Sequence, residues 1–159
     1  MCSSDLQYKS GDGFKLAARG KSNQLAIFLD STGRAYSLPA HGLPSARGQG
    51  EPVSGKVNPP SGATFEGVII GEDDKDVLLA SDAGYGFVAK VGDLTSKNKS
   101  GKLILRLPKG SEVLSAISVN DYASDLIVAI TNEGRMLMFP LSDLPRLAKG
   151  KGNKVINIS

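Results

Sequence analysis

The chain has 159 residues, of which 40% are hydrophobic and 22% charged, and its formal net charge is +3. That length suits one domain, and the apolar fraction supports a core and excludes a disordered chain. Its single cysteine, Cys2, excludes an internal disulfide, no apolar run reaches the roughly 18 residues that span a bilayer, and the polar start MCSSDLQYKSGDG carries no secretory signal.

Residues 1–13 are polar and Gly-containing, and are read as a flexible N-terminal segment or an expression remnant outside the fold. Phe14–Ala18 is a short candidate strand, and the basic turn RGKSNQ follows it. LAIFLD (Leu25–Asp30) reads as a strand, STGR as a tight turn and Arg34–Leu38 as the returning strand. The stretch PAHGLPSARGQGEP (Pro39–Pro52) holds too much Pro and Gly for a helix. Val53–Val57 is a weak strand and FEGVIIG (Phe65–Gly71) a clear one. The turn Glu72–Asp76 then carries four acids and one lysine.

The pattern now recurs. DVLLA, the turn Ser81–Gly84 and the run Tyr85–Val91 repeat the strand–turn–strand unit. A Lys-rich loop, LILRL (Leu103–Leu107) and VLSAISV (Val113–Val119) complete it. LIVAIT, NEGR, MLMFPL, SDLPRLAKGKGN and KVINI form a third version. The turn glycine recurs as Gly33, Gly84 and Gly134, at intervals of 51 and 50 residues. The units cover residues 25–71, 76–119 and 126–158. Four short strands per period, with no amphipathic helix, predict an all-β, propeller-like fold over residues 14–159, with about three four-stranded blades. The third unit lacks a closing strand and Phe14–Ala18 has no unit of its own, so the strands are out of phase with the repeat by one. Met136, Met138 and Phe139 read as core. Glycine reaches positive φ without steric cost, so the turn glycines are backbone requirements. A phosphate cradle would need a Gly-rich turn opening a helix, and none is present.

Charge is unevenly placed. The loop after the second strand of each unit is basic, with Arg47 and Lys56 in the first. The second carries Lys97, Lys99 and Lys102, then Arg106 and Lys109; the third carries Arg146, Lys149, Lys151 and Lys154. Glu72–Asp76 and Asn120–Asp125 are acidic turns. Rotation from blade to blade would set basic loops along one rim and acidic turns along another. A curved basic edge suits the phosphates of duplex DNA, which Lys and Arg neutralise without reading sequence. Taken singly, each lysine is better explained by solvation; period and sign together favour the ligand. Aromatics are few and Trp is absent, so no stacking platform for single strands is evident. His41 is the lone histidine, which argues against a Ser-His-Asp site, and it sits in a Pro/Gly loop with no Cys or second His near it, which argues against a metal site. No constellation supports catalysis.

LPSARGQGEP (Leu43–Pro52), LLASDAGYGFVAKVGDL (Leu78–Leu94) and EGRMLMFPLSDLP with KGKGNKVINI resemble the C-terminal domain of the A-type chain of bacterial topoisomerase IV, a type IIA topoisomerase related to gyrase. The resemblance runs from about Tyr8 onward. It implies a β-pinwheel, a ring of four-stranded blades that exchange strands, in which Phe14–Ala18 completes a blade otherwise built from later residues. The resemblance implies a domain of about five blades, so three repeats imply a piece of a larger ring. The implied partner is double-stranded DNA, bent along the basic rim to position it for strand passage, decatenation and supercoil relaxation. The implied parent is an ATP-dependent isomerase built from two A and two B subunits (A2B2), cytoplasmic and nucleoid-associated, with peripheral association with the inner membrane. Its ATP, magnesium and active-site tyrosine would lie elsewhere, so no catalytic residue, metal, cofactor or small-molecule substrate is expected in this chain. SARGQGEP stands where gyrase carries a basic glycine-rich box, with Arg47 its only cation and Glu51 against it; strong chiral wrapping is therefore not expected. The alternative reading is a protein-docking module, for a chromosome condensin or for the N-terminal part of the same polypeptide. It would act through the acidic turns and exposed blade edges.

Overall fold

The computed structural model describes residues 9–45 and 47–156. Its strands are β1 (Leu25–Asp30), β2 (Arg34–Pro39), β3 (Phe65–Ile70), β4 (Asp76–Ala80), β5 (Tyr85–Lys90), β6 (Lys102–Leu103), β7 (Ile117–Ser118), β8 (Leu126–Ile130), β9 (Met136–Pro140) and β10 (Asn153–Lys154). Among the described residues only short 3₁₀ turns accompany them. The protein is all-β, as the blocks of Val, Ile and Leu between Gly, Pro, Asn and Asp predict.

The strands form three sheets, in the orders β3-β1-β2-β6, β10-β5-β4-β7 and β8-β9. The hairpins β1-β2, β4-β5 and β8-β9 each close on a turn glycine, with φ of +85°, +81° and +79° at Gly33, Gly84 and Gly134. A side chain would be strained there. β6 and β10 follow their own hairpins in the chain but pair with the hairpin before: Arg34 opposes Leu103, and Tyr85 opposes Lys154. Neighbouring blades therefore share strands, which is the exchange expected of a pinwheel.

The turn glycine has a second duty at this exchange. The Gly33 carbonyl accepts N–H groups of Ile104 and Leu105, both at 3.0 Å, and the Gly84 carbonyl accepts that of Val155 at 2.7 Å. A Cβ on Gly33 would lie 2.0 Å from the Leu105 carbonyl oxygen. A second periodic set, Gly50, Gly101 and Gly152, is spaced by 51 residues and also has positive φ, +73°, +70° and +80°. A Cβ on Gly101 would fall 2.6 Å from the Tyr36 ring, and one on Gly152 2.0 Å from the Gly86 oxygen. The exchanged segments cross the preceding blade closely enough that only glycine fits.

The middle sheet is buried on both faces. Val77, Leu79, Phe87 and Ala89 pack with Ile27, Leu29, Ala35 and Ile69 of the first sheet. Leu78 and Val88 turn the other way, onto Leu141 and Leu144 and the partly buried Ile127 and Phe139. Alternate residues thus serve two interfaces, which explains why VLLA and FVA read as continuous apolar runs.

Four expectations need correction or limits. Phe14–Ala18 is not a strand: Phe14 is 68% exposed, and only Leu16 of the five is half-buried. Burying so little cannot offset the entropy of ordering the backbone. The segment is tethered instead by Lys15 to Glu66, at 2.9 Å. Hydrogen bonds from Thr64 and then Lys15 hold the Glu66 carboxyl below its ordinary range. Val53–Val57 is no strand either, and Val53–Gly55 forms a 3₁₀ turn. The corresponding segments one and two periods on, which begin with β6 and β10, are each laid on a preceding hairpin, and among the described residues no hairpin precedes this one. Met136 and Met138 are not core but 71% and 62% exposed, because they point away from the middle sheet and no described residue covers them. Within the N-terminal segment read as flexible, residues 1–8 lie outside the described residues. Residues 9–13 are exposed, with the Asp12 N–H bonded to the Lys9 carbonyl at 2.9 Å.

Gly33→Ala should lower the unfolding free energy by roughly 2–3 kcal/mol, since it adds backbone strain and a clash at the exchange. Gly134→Ala has the same φ but open space around it, and should cost about 1 kcal/mol. Urea unfolding of both variants measures the difference; equal losses would mean that crowding at the exchange contributes nothing.

Candidate nucleic-acid interface

The Lys-rich loop begins where β5 ends. A 3₁₀ turn, Val91–Leu94, buries Val91 and Leu94 and anchors the loop base. The loop then crosses to the first blade. The Ser96 N–H donates to Ser37 Oγ at 2.9 Å, and the Asn58 N–H donates to the Lys99 carbonyl at 2.7 Å. Internally, the Asn98 N–H donates to Ser96 Oγ at 3.2 Å and the Gly101 N–H to the Asn98 carbonyl at 3.0 Å. The backbone is thus held while Lys97 and Lys99 remain exposed, and neither pairs with a carboxylate of the described residues. Lys102 Nζ donates to the Asp93 carbonyl at 2.9 Å, which positions the ammonium without neutralising it.

The next basic loop repeats this docking one blade on. The Val88 N–H donates to the Pro145 carbonyl at 2.9 Å, and the Leu147 N–H to the Val88 carbonyl at 2.8 Å. The Gly150 N–H bonds the Ile104 carbonyl and its own carbonyl accepts the Arg106 N–H, both at 2.8 Å. Lys149 is exposed, and the Lys151 ammonium lies 4.2 Å from the centroid of the Tyr85 ring. Together with the Asn58–Lys99 bond, these contacts stitch the segments carrying Lys56, Lys97–Arg106 and Lys149–Lys151 edge to edge.

Other candidates are differently placed. Arg47 is exposed, whereas Lys56 is half-buried and paired with Glu51 at 3.0 Å. The Arg146 guanidinium lies 2.6 Å from Asp76 Oδ2 and 4.0 Å from the centroid of the Tyr122 ring. Its charge is largely committed inside the chain, and here an acidic turn meets a basic loop. Lys154 is exposed on β10. Arg34 falls outside the basic loops in sequence because it follows the turn glycine, yet its Nη1 donates to the Ser100 carbonyl at 3.4 Å within the Lys-rich loop. The acidic turns are partly occupied as well. Glu72 accepts from Gln24 at 2.9 Å and faces Lys21 at 3.4 Å. Asp125 accepts the N–H groups of Asn120 and Asp121. Asp121 accepts the Ser124 hydroxyl and then the Ala123 N–H, which hold its carboxyl below the ordinary range.

The family model described as the DNA gyrase C-terminal domain, a β-propeller, matches residues 75–120 and 125–159. The chain belongs to that family. It is 61% identical over 153 residues to the A-type chain of Pseudomonas aeruginosa DNA topoisomerase 4 and 55% identical to that of Escherichia coli K12, in each case over 96% of this chain. The match takes in 20% of each of those proteins, so the chain spans a fifth of the curated relatives' length. Among solved structures, the E. coli ParC C-terminal domain superposes with a TM-score of 0.90 at 53% identity, over 99% of this chain and 64% of that one. The DNA gyrase A C-terminal domain gives a TM-score of 0.65 at 17% identity, over 84% of this chain and 43% of that one, a likeness of fold alone.

In this member of the gyrase C-terminal domain family, the first hairpin is locked by a buried carboxylate. Asp30 is fully buried. Its Oδ1 accepts the Thr32 N–H at 2.8 Å, the Thr32 hydroxyl at 2.6 Å and the Arg34 N–H at 3.0 Å, and its Oδ2 accepts the Tyr36 hydroxyl at 2.6 Å. Four donors satisfy a group that would otherwise be costly to bury. Burial, and next the Asp30 hydrogen bond, push the Tyr36 phenol well above its ordinary range. One unit on, Ser81 and Phe87 stand in place of Asp30 and Tyr36. With no phenol there, the buried Ser81 hydroxyl finds no hydrogen-bond partner among the described residues.

Tyr36→Phe should cost about 1–3 kcal/mol near neutral pH, because it strips a donor from a buried carboxylate. A phenol raised on folding stabilises fully below its unfolded value, and that contribution fades as pH climbs above about 10. The difference between wild type and Tyr36→Phe should therefore shrink at alkaline pH. A gap that stayed constant from neutral to strongly alkaline solution would count against the Asp30–Tyr36 bond.

Proposed function

We propose that this chain is a non-catalytic, sequence-tolerant duplex-DNA-binding domain from the A-type chain of a topoisomerase IV. The observation that carries the reading is the stitching of successive basic segments through backbone hydrogen bonds: Asn58 to Lys99, then Gly150 to Ile104 and Arg106. Lys97, Lys99, Lys149 and Lys151 follow one another along that seam. Lys102 and Lys154 flank it, Arg47 adds an exposed cation in the first unit's own loop, and Arg146 and Lys56 are held in ion pairs. Gly and Ser between the lysines let phosphates approach, and ammonium groups neutralise them without reading base edges. Affinity should be on the order of 10⁻⁴ to 10⁻⁶ M at physiological salt. Bending a site of 20–30 bp costs on the order of 1–6 kcal/mol, so these few contacts support modest bending rather than wrapping.

In the parent enzyme this grip would position DNA for strand passage, decatenation and relaxation, with the B-type chains, ATP and magnesium acting elsewhere in an A2B2 assembly at the nucleoid. A second reading, protein docking to the N-terminal part of the same polypeptide or to a condensin, draws on the β8-β9 hairpin. Both its edges are unpaired by any described strand, and Leu126, Val128 and Ile130 are exposed.

Changing Lys97, Lys99 and Lys102 together to Glu tests the first reading. Titration of a duplex of about 30 bp by fluorescence anisotropy, at about 50 and 200 mM salt, should show affinity lowered at least about tenfold and a salt slope smaller by roughly 2–3. Unchanged affinity and slope would remove DNA binding from these loops.

A further inference from the structure

The residue after the turn glycine is Arg34 in the first hairpin, Tyr85 in the second and Arg135 in the third. In sequence each belongs to a tight turn, remote from the basic loops. The exchange changes that. Pairing of β6 with β2 sets Arg34 opposite Leu103, next to Lys102, and brings its guanidinium onto the Ser100 carbonyl at 3.4 Å. One blade on, Tyr85 opposes Lys154 and its ring carries the Lys151 ammonium at 4.2 Å. Each junction therefore offers one hairpin side chain to the basic loop of the following unit.

Arg34 differs from the loop lysines in how it is held. The Asp30 carboxylate accepts its backbone N–H at 3.0 Å, and that carboxylate is fixed by Thr32 and Tyr36. Among the described residues no carboxylate forms an ion pair with the Arg34 guanidinium, and its one hydrogen bond there uses a single nitrogen and a neutral acceptor. Four further N–H donors of the planar fork remain for a phosphate. The neighbouring loop contributes Lys97, Lys99 and Lys102, and these lysines stand among Ser, Asn and Gly with no acid from Leu94 to Leu107.

We propose that Arg34 and the loop Lys97–Lys102 form one composite phosphate seat, assembled from two sequence units by strand exchange, in which Arg34 makes a fixed, directional contact, Lys97 and Lys99 supply mobile charge and Lys102 adds an ammonium held on the Asp93 carbonyl. The ligand is the phosphodiester backbone of duplex DNA, so the inference rests on the duplex-binding reading and adds a contact to it. Arg135, at the same position of the third hairpin, is exposed and lies 3.7 Å from Glu133, so the same device is weaker there.

The test compares the wild-type chain, Arg34→Gln, Arg34→Lys and the triple Lys-to-Glu variant on the same duplex, with urea unfolding as the check on folding. Arg34→Gln should lower affinity and reduce the slope of log affinity against log salt by about 1, the value for one phosphate contact. Arg34→Lys keeps the charge and should keep the slope, while losing affinity through the missing fork. If the triple variant weakens binding but Arg34→Gln leaves affinity and slope unchanged, the composite seat is overturned and DNA binding by the lysine loop stands. If Arg34→Lys loses the slope as fully as Arg34→Gln, the residue is structural and the seat is overturned. A wild-type chain that shows no salt-dependent binding removes both readings.

Discussion

The pinwheel depends on a small set of backbone hydrogen bonds at the strand exchange. The carbonyls of Gly33 and Gly84 each point out of a hairpin turn and accept N–H groups from the following unit. No side chain could stand at Gly33, because the partner carbonyl occupies the place of its Cβ. Every later feature inherits this contact. It sets β6 and β10 beside hairpins they do not follow, and it brings each basic loop onto the blade before it.

Hydrophobic burial follows the same geometry. The middle sheet lies between two neighbours and uses both faces, so Val77 and Leu79 serve one interface and Leu78 the other. The third hairpin has a neighbour on one side among the described residues. Its inward residues Ile127 and Phe139 are partly buried, while Leu126, Val128, Ile130, Met136 and Met138 are exposed. An apolar sheet face of this kind is a surface that another sheet or strand would cover.

The electrostatics separate held backbone from free charge. The loop around Lys97–Lys102 is tied down through Ser37, Asn58 and Ser96, so a ligand would not have to order its main chain. Lys97, Lys99 and Lys149 keep their charge for solvent or ligand. Arg146 does the opposite: stacked on Tyr122 and paired with Asp76, it joins the third unit to the second. Arg and Lys in one basic loop thus do different work, since a planar fork can stack and pair while a compact ammonium stays hydrated.

Sequence alone determined the all-β class, the period and the turn glycines, because these are local: φ is set by the residue itself and strand runs by their neighbours. The basic loops were also legible, since charge and spacing do not depend on folding. The second glycine set, Gly50, Gly101 and Gly152, carried the same 51-residue interval but lay hidden in Gly-rich loops. Tertiary structure alone decided the rest. It showed that Phe14–Ala18 and Val53–Val57 find no ladder partner and that Met136 and Met138 face outward. It also showed that Arg146 is bound to Asp76 and that Arg34 stands beside a lysine loop distant in the chain. The physical reason is common to all four: a ladder bond, a covered face or an ion pair needs a second partner, and which segment supplies it is settled by the exchange of strands between blades.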